Sequence, residues 1–204
     1  MLAAMSGKPI NEYDACRVFA ALGIAHAQTE VIAAPAQQTH IAFPVVAKIL
    51  SPDIQHKTEA QGVMLNITTP EDLAAAVSRM LARVQASHPD ARIDGVLVQR
   101  MERGLAEAIV GYKIDPQLGP VIMLGVGGIL AEIYQDFALR LAPVDLETAR
   151  TMIAEVRGLA VIRGYRGLAR GDCEALAQAV AVMSQLALLK GNTVREAEIN
   201  PLIV

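Results

Sequence analysis

The sequence predicts an α+β protein, in which helices pack on sheets of mixed or antiparallel strands. Several segments are short apolar runs with the length of strands, whereas others carry apolar residues at the spacing of amphipathic helices. The segments follow the order helix, strand, strand, helix, strand cluster, helices, strand, which is typical of mixed sheets with helices packed on them. We expect two lobes, hinged near residues 99–104.

The helices are predicted from apolar spacing and from residues that favour helix ends. The clearest covers residues 70–86, because Thr69 can cap it, Pro70 fits its first turn, and its apolar side chains share one face. The others are expected at 11–22 before Gly23, at 146–157 behind Asp145, and at 173–190 behind Asp172.

The strands are predicted from apolar runs bounded by turn-forming residues. Residues 33–42 have no period and predict a loop, and DPQLG predicts a hairpin turn between two strands. The predicted strands cover 43–50, 62–67, 93–99, 106–114, 120–124, 129–135, 137–142 and 194–204.

Composition limits the classes of function. The chain has 204 residues, of which 53% are hydrophobic, and this favours a compact fold over a disordered one. A net charge of -3 and an aromatic content of 3% argue against nucleic-acid binding. Since no segment approaches the roughly 20 apolar residues of a membrane span, we expect a soluble, cytoplasmic protein. Cys16 and Cys173 show no disulfide or metal-binding pattern.

Lys48 lies inside the predicted strand FPVVAKIL. A charged amine among apolar residues is costly unless an opposite charge pairs with it, so Lys48 requires a partner. The polar segment that follows contains His56 and Lys57. An imidazole there could act as a nucleophile or proton shuttle, although a lone histidine in a loop is by default a solvated side chain.

Two further patterns could carry chemistry. On the last strand, period two places Glu196, Glu198 and Asn200 on one face, which forms an oxygen-rich patch suited to Mg²⁺. The alternative is the solvent-facing side of an edge strand. In IMLGVGGILAEI, the glycines at 125, 127 and 128 could let the backbone approach an anion, or could form an ordinary hairpin turn.

Several of these segments together indicate a family. FPVVAKILSPDIQHKT, VLVQRM, AEAIVGYKIDPQLGPVIMLGVGGILAEI, GYRG and EINPL resemble, in this order, the ATP-grasp domain of nucleoside-diphosphate-forming acyl-CoA synthetases, related to the succinyl-CoA synthetase β subunit. The resemblance runs from about residue 8 to the end. It implies the ATP-grasp fold over residues 1–204, with a nucleotide cleft between lobes at about 25–98 and 102–204 and the 8–24 helix packed on the larger, C-terminal lobe.

The resemblance also implies roles for particular residues. Lys48 would reach the nucleotide phosphates, and His56 would carry a phosphoryl group between a partner phosphohistidine and ADP. The other implied residues are Val98, Gln99, Arg100 and Met101 at the adenine, Glu107 at the ribose, Gly127, Gly128 and Arg140 at the phosphates, and Glu198 and Asn200 at Mg²⁺, with Glu132 as a third candidate ligand.

The implied reaction interconverts acid, CoA and ATP with acyl-CoA, ADP and phosphate. It requires ATP or ADP, Mg²⁺, and CoA-binding and acid-activating domains or an α subunit. Family members usually continue into a strand whose aspartate completes the metal site, whereas this sequence stops at Val204, so we expect an excised domain or a trimmed subunit. The alternative is a regulatory or interaction module with reduced catalysis, like those fused to acetyltransferases.

Overall fold

The structure, a computed structural model, describes residues 10–54, 57, 60–128, 135–190 and 194–204. These residues form two compact units. The described residues of 10–21 and 25–102 make the first unit, and those of 22–24 and 103–204 make the second. In the described ranges, none of the helices has the length and apolar character needed to span a lipid bilayer.

The first unit is a four-stranded antiparallel sheet with a long helix on one face. The strand order is β1-β4-β2-β3. Val45, Ala47 and Ile49 point from β2 into a core that α2 completes, which leaves Lys48 on the opposite face. The elements are α1 (Glu12–Ala21), β1 (Thr29–Ile32), β2 (Val45–Leu50), β3 (Val63–Ile67), α2 (Pro70–Ser87) and β4 (Gly95–Arg100).

Helix α2 confirms the clearest sequence prediction. The Thr69 side chain accepts a hydrogen bond from the Asp72 amide at 3.1 Å, and Pro70 begins the helix. The cap satisfies one of the free amides of the first turn, which is why this sequence begins a helix here. Strand β1 was not predicted, because four residues with only Ile32 buried show no usable period.

Helix α1 groups with the first unit rather than with the C-terminal lobe, where the resemblance placed residues 8–24. Polar contacts hold its start. The Asn11 amide nitrogen donates to Asp94 at 3.0 Å, and Glu12 pairs with Lys48 of β2. The packing of this helix therefore depends on long-range charge pairing, which its apolar spacing does not reveal.

The second unit is a second four-stranded antiparallel sheet, with order β7-β6-β5-β8. Two helices cover one face and bury Val110, Tyr112, Ile122 and Leu124. The elements are β5 (Glu107–Asp115), β6 (Gly119–Val126), β7 (Phe137–Leu141), α3 (Leu146–Glu155), 3-10 turns at Arg157–Ile162 and Tyr165–Gly167, α4 (Cys173–Ser184), a further 3-10 turn at Gln185–Leu188, and β8 (Glu196–Ile203).

The helix caps and the hairpin turn of the second unit agree with the predictions from sequence. Asp145 caps α3 by accepting from the Thr148 amide at 2.7 Å, and Asp172 caps α4 by accepting from the Ala175 amide at 2.9 Å. In the β5–β6 hairpin, the Asp115 carboxylate accepts the amides of Gln117 and Leu118. These short-range hydrogen bonds are readable from sequence because donor and acceptor lie within three residues.

Two predictions about the second unit have different outcomes. The expected helix over 173–190 stops being α-helical at Ser184, whose buried hydroxyl donates back to the Ala181 carbonyl at 2.6 Å and accepts the Val144 amide at 2.9 Å. A side chain bonded to its own helix in this way favours a local break. The strand expected at 129–135 lies outside the described residues, except for its last position.

Strand β7 exposes its apolar side. Phe137, Leu139 and Leu141 are 53%, 43% and 63% exposed, whereas Ala138 and Arg140 face the helices. Pairing with β6 sets this orientation, because Leu139 lies opposite Met123 and Arg140 lies opposite the fully buried Ile122. We call the face that bears Gly111, Met123, Leu139 and Glu198 the open face of the second sheet.

Candidate functional site

Lys48 has a protein partner. Its Nζ lies 2.6 Å from Oε1 of Glu12, the first residue of α1, and only 19% of the Lys48 side chain is exposed. An ammonium so shielded from water needs such a counter-ion. The structure thus supplies a partner for Lys48 within the chain, whereas the resemblance implied the nucleotide phosphates as its partner.

A second lysine completes this cluster. Lys57 Nζ lies 2.6 Å from the other Glu12 oxygen, Oε2, with 18% of its side chain exposed. Burial alone raises the pKa of Glu12, and the attraction of the two ammonium groups more than offsets it, so the pKa is lowered. We call Glu12, Lys48 and Lys57 the lysine clamp, which carries a net charge of +1.

The backbone holds Lys57 in register with β2. The Gly62 amide donates to the Lys57 carbonyl at 2.7 Å, and the Ile49 amide donates to the Gly62 carbonyl at 2.7 Å. A side chain at position 62 would come within 2.5 Å of Ile49 Cγ2, so glycine is required for this close approach. Lys57 is therefore fixed at both its backbone and its ammonium.

The segment from Val98 to Met101 runs from β4 to the boundary between the two units. The Arg100 amide donates to the Gln28 carbonyl at 2.9 Å, and the Met101 amide donates to the Pro44 carbonyl at 3.0 Å. Both amides are thus already used.

The oxygen-rich patch of the second unit lies on the open face. Glu196, Glu198 and Asn200 are all exposed, and Glu198 lies opposite Gly111 of β5. Gly111 has no side chain, and the end of the Met123 side chain lies over this part of the sheet, 3.5 Å from where a Cβ at position 111 would stand. The predicted clustering of these residues on one face agrees with the structure.

Strand β8 bulges between Ile199 and Leu202, the interval that contains Asn200. Three residue steps from Ile199 to Leu202 face only two steps from Val110 to Ala108. Bulges re-aim side chains and recur beside active sites. Among the described residues no three His, Cys, Asp or Glu side chains form a metal-binding group, so a cation here would draw further ligands from water or phosphate.

The glycine pair packs on Glu107. The Gly127 amide donates to the Glu107 carbonyl at 2.7 Å, and a side chain at position 127 would lie 3.0 Å from Glu107 backbone and Cβ atoms. Gly128 has a φ of +84°, which favours glycine. A Cβ at position 128 would lie 3.2 Å from Oε2 of Glu107. The structure therefore brings together three of the predicted residues, Glu107, Gly127 and Gly128.

Arg140 is not brought to the open face. Its guanidinium pairs with Glu155 of α3 and donates to the Leu139 carbonyl at 2.9 Å, on the helix-covered side of the sheet. The strand register decides this, as Arg140 aligns with Ile122 rather than with Met123. His56 and Glu132 lie outside the described residues.

The comparison with known proteins identifies the family. The sequence matches the ATP-grasp domain family over residues 3–204. The chain belongs to the ATP-grasp family. The predicted fold class is thereby confirmed, with the two antiparallel sheets and packed helices of the ATP-grasp fold.

Two curated relatives of this ATP-grasp domain are ligases. The ADP-forming acetate–CoA ligase I of Archaeoglobus fulgidus is 42% identical over 164 residues, which are 80% of this chain and 24% of the relative. The β subunit of the ADP-forming acetate–CoA ligase II of Pyrococcus furiosus is 34% identical over 197 residues, which are 95% of this chain and 84% of the subunit. The chain thus spans about a quarter of the first relative and most of the second.

Solved structures give the same grouping. The dinucleotide forming acetyl-coenzyme A synthetase 1 of Ca. Korarchaeum cryptofilum, in complex with coenzyme A, Ca-AMPCP and HgCl+, matches with a TM-score of 0.87 and 31% identity over 95% of this chain and 86% of that one. Another structure of that enzyme contains Mg-AMPPCP, with its phosphohistidine segment pointing towards the nucleotide binding site. It matches with a TM-score of 0.76 and 30% identity, over 94% of this chain and 84% of that one.

Sequence reasoning missed part of the lysine clamp. Glu12 precedes Lys48 by 36 positions, and nothing in a single sequence indicates that the two meet. Lys57 was noted only as the neighbour of His56. The one available signal was the need for a counter-ion at Lys48.

Proposed function

We propose that this ATP-grasp domain binds MgATP and MgADP and performs the nucleotide step of an ADP-forming acyl-CoA ligase. The reaction would interconvert acid, CoA and ATP with acyl-CoA, ADP and phosphate. The proposal is supported by the ligase relatives, of which the first is about four times as long as the matched segment. CoA binding and acid activation would then belong to other domains or to a partner subunit.

The observation that carries the proposal is the lysine clamp, a pair of shielded ammonium groups with a net charge of +1. Phosphoryl transfer needs positioning and neutralisation of charge more than covalent work by the protein. We propose that Lys48 donates to phosphate oxygens of the nucleotide. It can do so while keeping Glu12, because an ammonium has three N–H donors and the ion pair uses one.

Glu198 and Asn200 are suited to hold Mg²⁺. They supply a carboxylate and an amide oxygen two residues apart on an exposed strand, and Mg²⁺ prefers such ligands together with water and phosphate. When bound, the ion would neutralise phosphate charge. We assign Glu107, next to the glycine pair, to the ribose hydroxyls.

We further propose that His56 relays the phosphoryl group. In the ATP-forming direction, the N–P bond of phosphohistidine would break as an O–P bond forms to the terminal phosphate of ADP. The support is the sequence, in which His56 directly precedes Lys57 of the lysine clamp.

Calorimetric titration with MgADP tests nucleotide binding. The parent should give heat, and Lys48→Ala should weaken binding on the order of tenfold or more, because a charge-assisted contact is lost. Arg79→Ala, on the exposed side of α2, is the matched loss of a cation and should bind as the parent does. No heat from parent and variants alike would favour an interaction module instead.

Labelling tests the relay. ATP labelled at its γ-phosphate should transfer acid-labile, base-stable label to the parent, and His56→Ala should receive none. Equal labelling of the His56→Ala variant would exclude this histidine as the carrier, while leaving nucleotide binding to the calorimetric test.

A further inference from the structure

We propose that Glu12 is a positioning residue that presents Lys48 and Lys57 as one preformed pair of ammonium groups, and that Lys57 is a second phosphate-binding residue. The inference depends on the proposed function, since it assumes that Lys48 binds nucleotide phosphate. It extends that function by assigning two residues for which the family resemblance gave no role.

The geometry of the carboxylate supports the pairing. Each Glu12 oxygen accepts from a different lysine, both at 2.6 Å, so one carboxylate holds both ammonium groups. Without it, two like charges shielded from water would repel and separate. Each ammonium retains two donors after pairing with Glu12, which together could meet neighbouring oxygens of a diphosphate.

Glu12 is held in place by groups outside the clamp. Asn11 precedes it, and its side-chain oxygen accepts the Asp14 amide at 3.0 Å while its nitrogen donates to Asp94 at 3.0 Å. Glu12 itself lies in the first turn of α1, where the helix dipole stabilises a carboxylate. The start of the helix is therefore anchored without any ligand, which a positioning residue requires.

Lys57 is equally constrained. Its carbonyl accepts the Gly62 amide, which ties it to the end of β2, and its side chain crosses to Glu12 although it follows a polar stretch of sequence. A surface lysine would ordinarily be solvated and mobile. Its side chain is 18% exposed, close to the 19% of Lys48, which indicates that both belong to one site.

Glu12 could instead compete with phosphate for the two lysines. Two observations favour positioning. The clamp remains cationic with Glu12 in place, and each ammonium retains two N–H donors for a phosphate. Protein kinases show the same logic, because their phosphate-binding lysine must be paired with a glutamate to be active. The two roles predict opposite changes in affinity when the carboxylate is neutralised.

Affinity for MgADP and for adenosine, measured in the full 204-residue chain, separates these roles. Lys57→Met should weaken MgADP about tenfold, the value of one charge-assisted hydrogen bond. Glu12→Gln should weaken MgADP binding severalfold. Glu12→Asp should do the same, because the aspartate side chain is too short to reach both lysines. Adenosine has no phosphate, so its affinity should be unchanged in all three, whereas merely structural damage would reduce both affinities.

Asp14→Asn is the matched control, since it removes an acid from the same helix whose partner is Arg17 and not a lysine. It should leave MgADP affinity unchanged. Urea unfolding of each variant identifies any that is not folded at the titration temperature, and Glu12→Asp and Lys57→Met then carry the test.

Specific results would overturn the inference. Tighter MgADP binding by Glu12→Gln would make Glu12 a competitor, and parental affinity in Lys57→Met would remove the second phosphate contact. If the double variant Glu12→Gln/Lys57→Met lost MgADP affinity by the product of the two single fold-losses, Glu12 would not act through Lys57. Parental affinity in Lys48→Ala would instead reject the proposed function itself.

Discussion

The lysine clamp and the open face of the second sheet place charged groups in opposite ways. In the clamp, three shielded side chains satisfy one another through ion pairs at 2.6 Å. On the open face, Glu198 and Asn200 are exposed, and the backbone positions them through strand register, a bulge and nearby glycines. A shielded charge must be paired within the protein, whereas water can solvate exposed oxygens until a cation replaces it.

The largest loss of stability is expected from Gly127→Val. This variant tests whether the close backbone contact between Gly127 and Glu107 is needed to hold the glycine pair beside the open face. Its side chain would meet Glu107 backbone atoms at 3.0 Å, and overpacking against rigid backbone should lower the free energy of unfolding by about 2–3 kcal/mol. Urea unfolding measures this change.

Gly111→Ala is the control for that variant. A side chain there would meet Met123 at ordinary van der Waals distances, 3.5 Å to Cε and 3.9 Å to Cβ, so stability should stay within about 1 kcal/mol of the parent. Equal stability of the two variants would show that the contact with Glu107 does not constrain the glycine pair.

A smaller loss is expected from Glu12→Gln, which tests the pairing in the first region. Neutralising this carboxylate leaves two shielded lysines without a counter-ion, and should cost about 2 kcal/mol, between the values for exposed and buried ion pairs. Glu198→Gln removes the same charge from the open face and should change the free energy of unfolding by less than about 0.5 kcal/mol. Similar losses of stability in Glu12→Gln and Glu198→Gln would show that the clamp carboxylate stabilises the protein no more than the exposed one.

The stabilisation by Glu12 should also depend on pH. Its pKa in the folded protein lies below the usual 4.5, so folding is favoured by its ionised form. That stabilisation is complete above 4.5 and is lost as the pH falls through the lowered pKa. The difference in unfolding free energy between the parent and Glu12→Gln, measured from about pH 7 to about pH 3, should therefore shrink at the acid end.

A difference that stays constant down to the lowest pH would contradict this assignment. The stability curve of Glu198→Gln is the reference, because the exposed carboxylate makes no ion pair among the described residues.

A smaller effect than that of Glu12→Gln is expected from Arg140→Met. Its guanidinium pairs with Glu155 at a partly exposed position, so stability should change by less than about 1 kcal/mol. MgADP affinity should be unchanged, because the side chain lies on the face opposite Glu198. A clear loss of affinity in a folded variant would return Arg140 to the phosphates, as the family resemblance implied.

Local features account for most of what sequence reasoning predicted correctly. Thr69, Asp145 and Asp172 each cap a helix through an amide three residues away, and Asp115 organises its hairpin in the same way. The exposed face of β8 followed from strict alternation. Where the signal was short or opposed by a long-range contact, as in β1 or at Ser184, the prediction failed.

Strand β7 shows the limit of pattern reasoning. Alternation correctly separates Phe137, Leu139 and Leu141 from Ala138 and Arg140, but hydrophobicity would assign the wrong set to the helix-covered side. Which set is buried depends on register with β6 and on where α3 and α4 pack, and both are tertiary facts.

The sequence by itself determined the types of most elements, the caps of α2, α3 and α4, the need of Lys48 for a counter-ion, and the shared face of Glu198 and Asn200. These depend on interactions within a few residues or on alternation along one strand. Only the tertiary structure decided that Glu12 is the counter-ion of Lys48 and that Lys57 pairs with the same carboxylate. It also decided that Arg140 faces the helices and not the open face. Folding brings together groups 36 and 45 positions apart, and no local pattern encodes such a meeting.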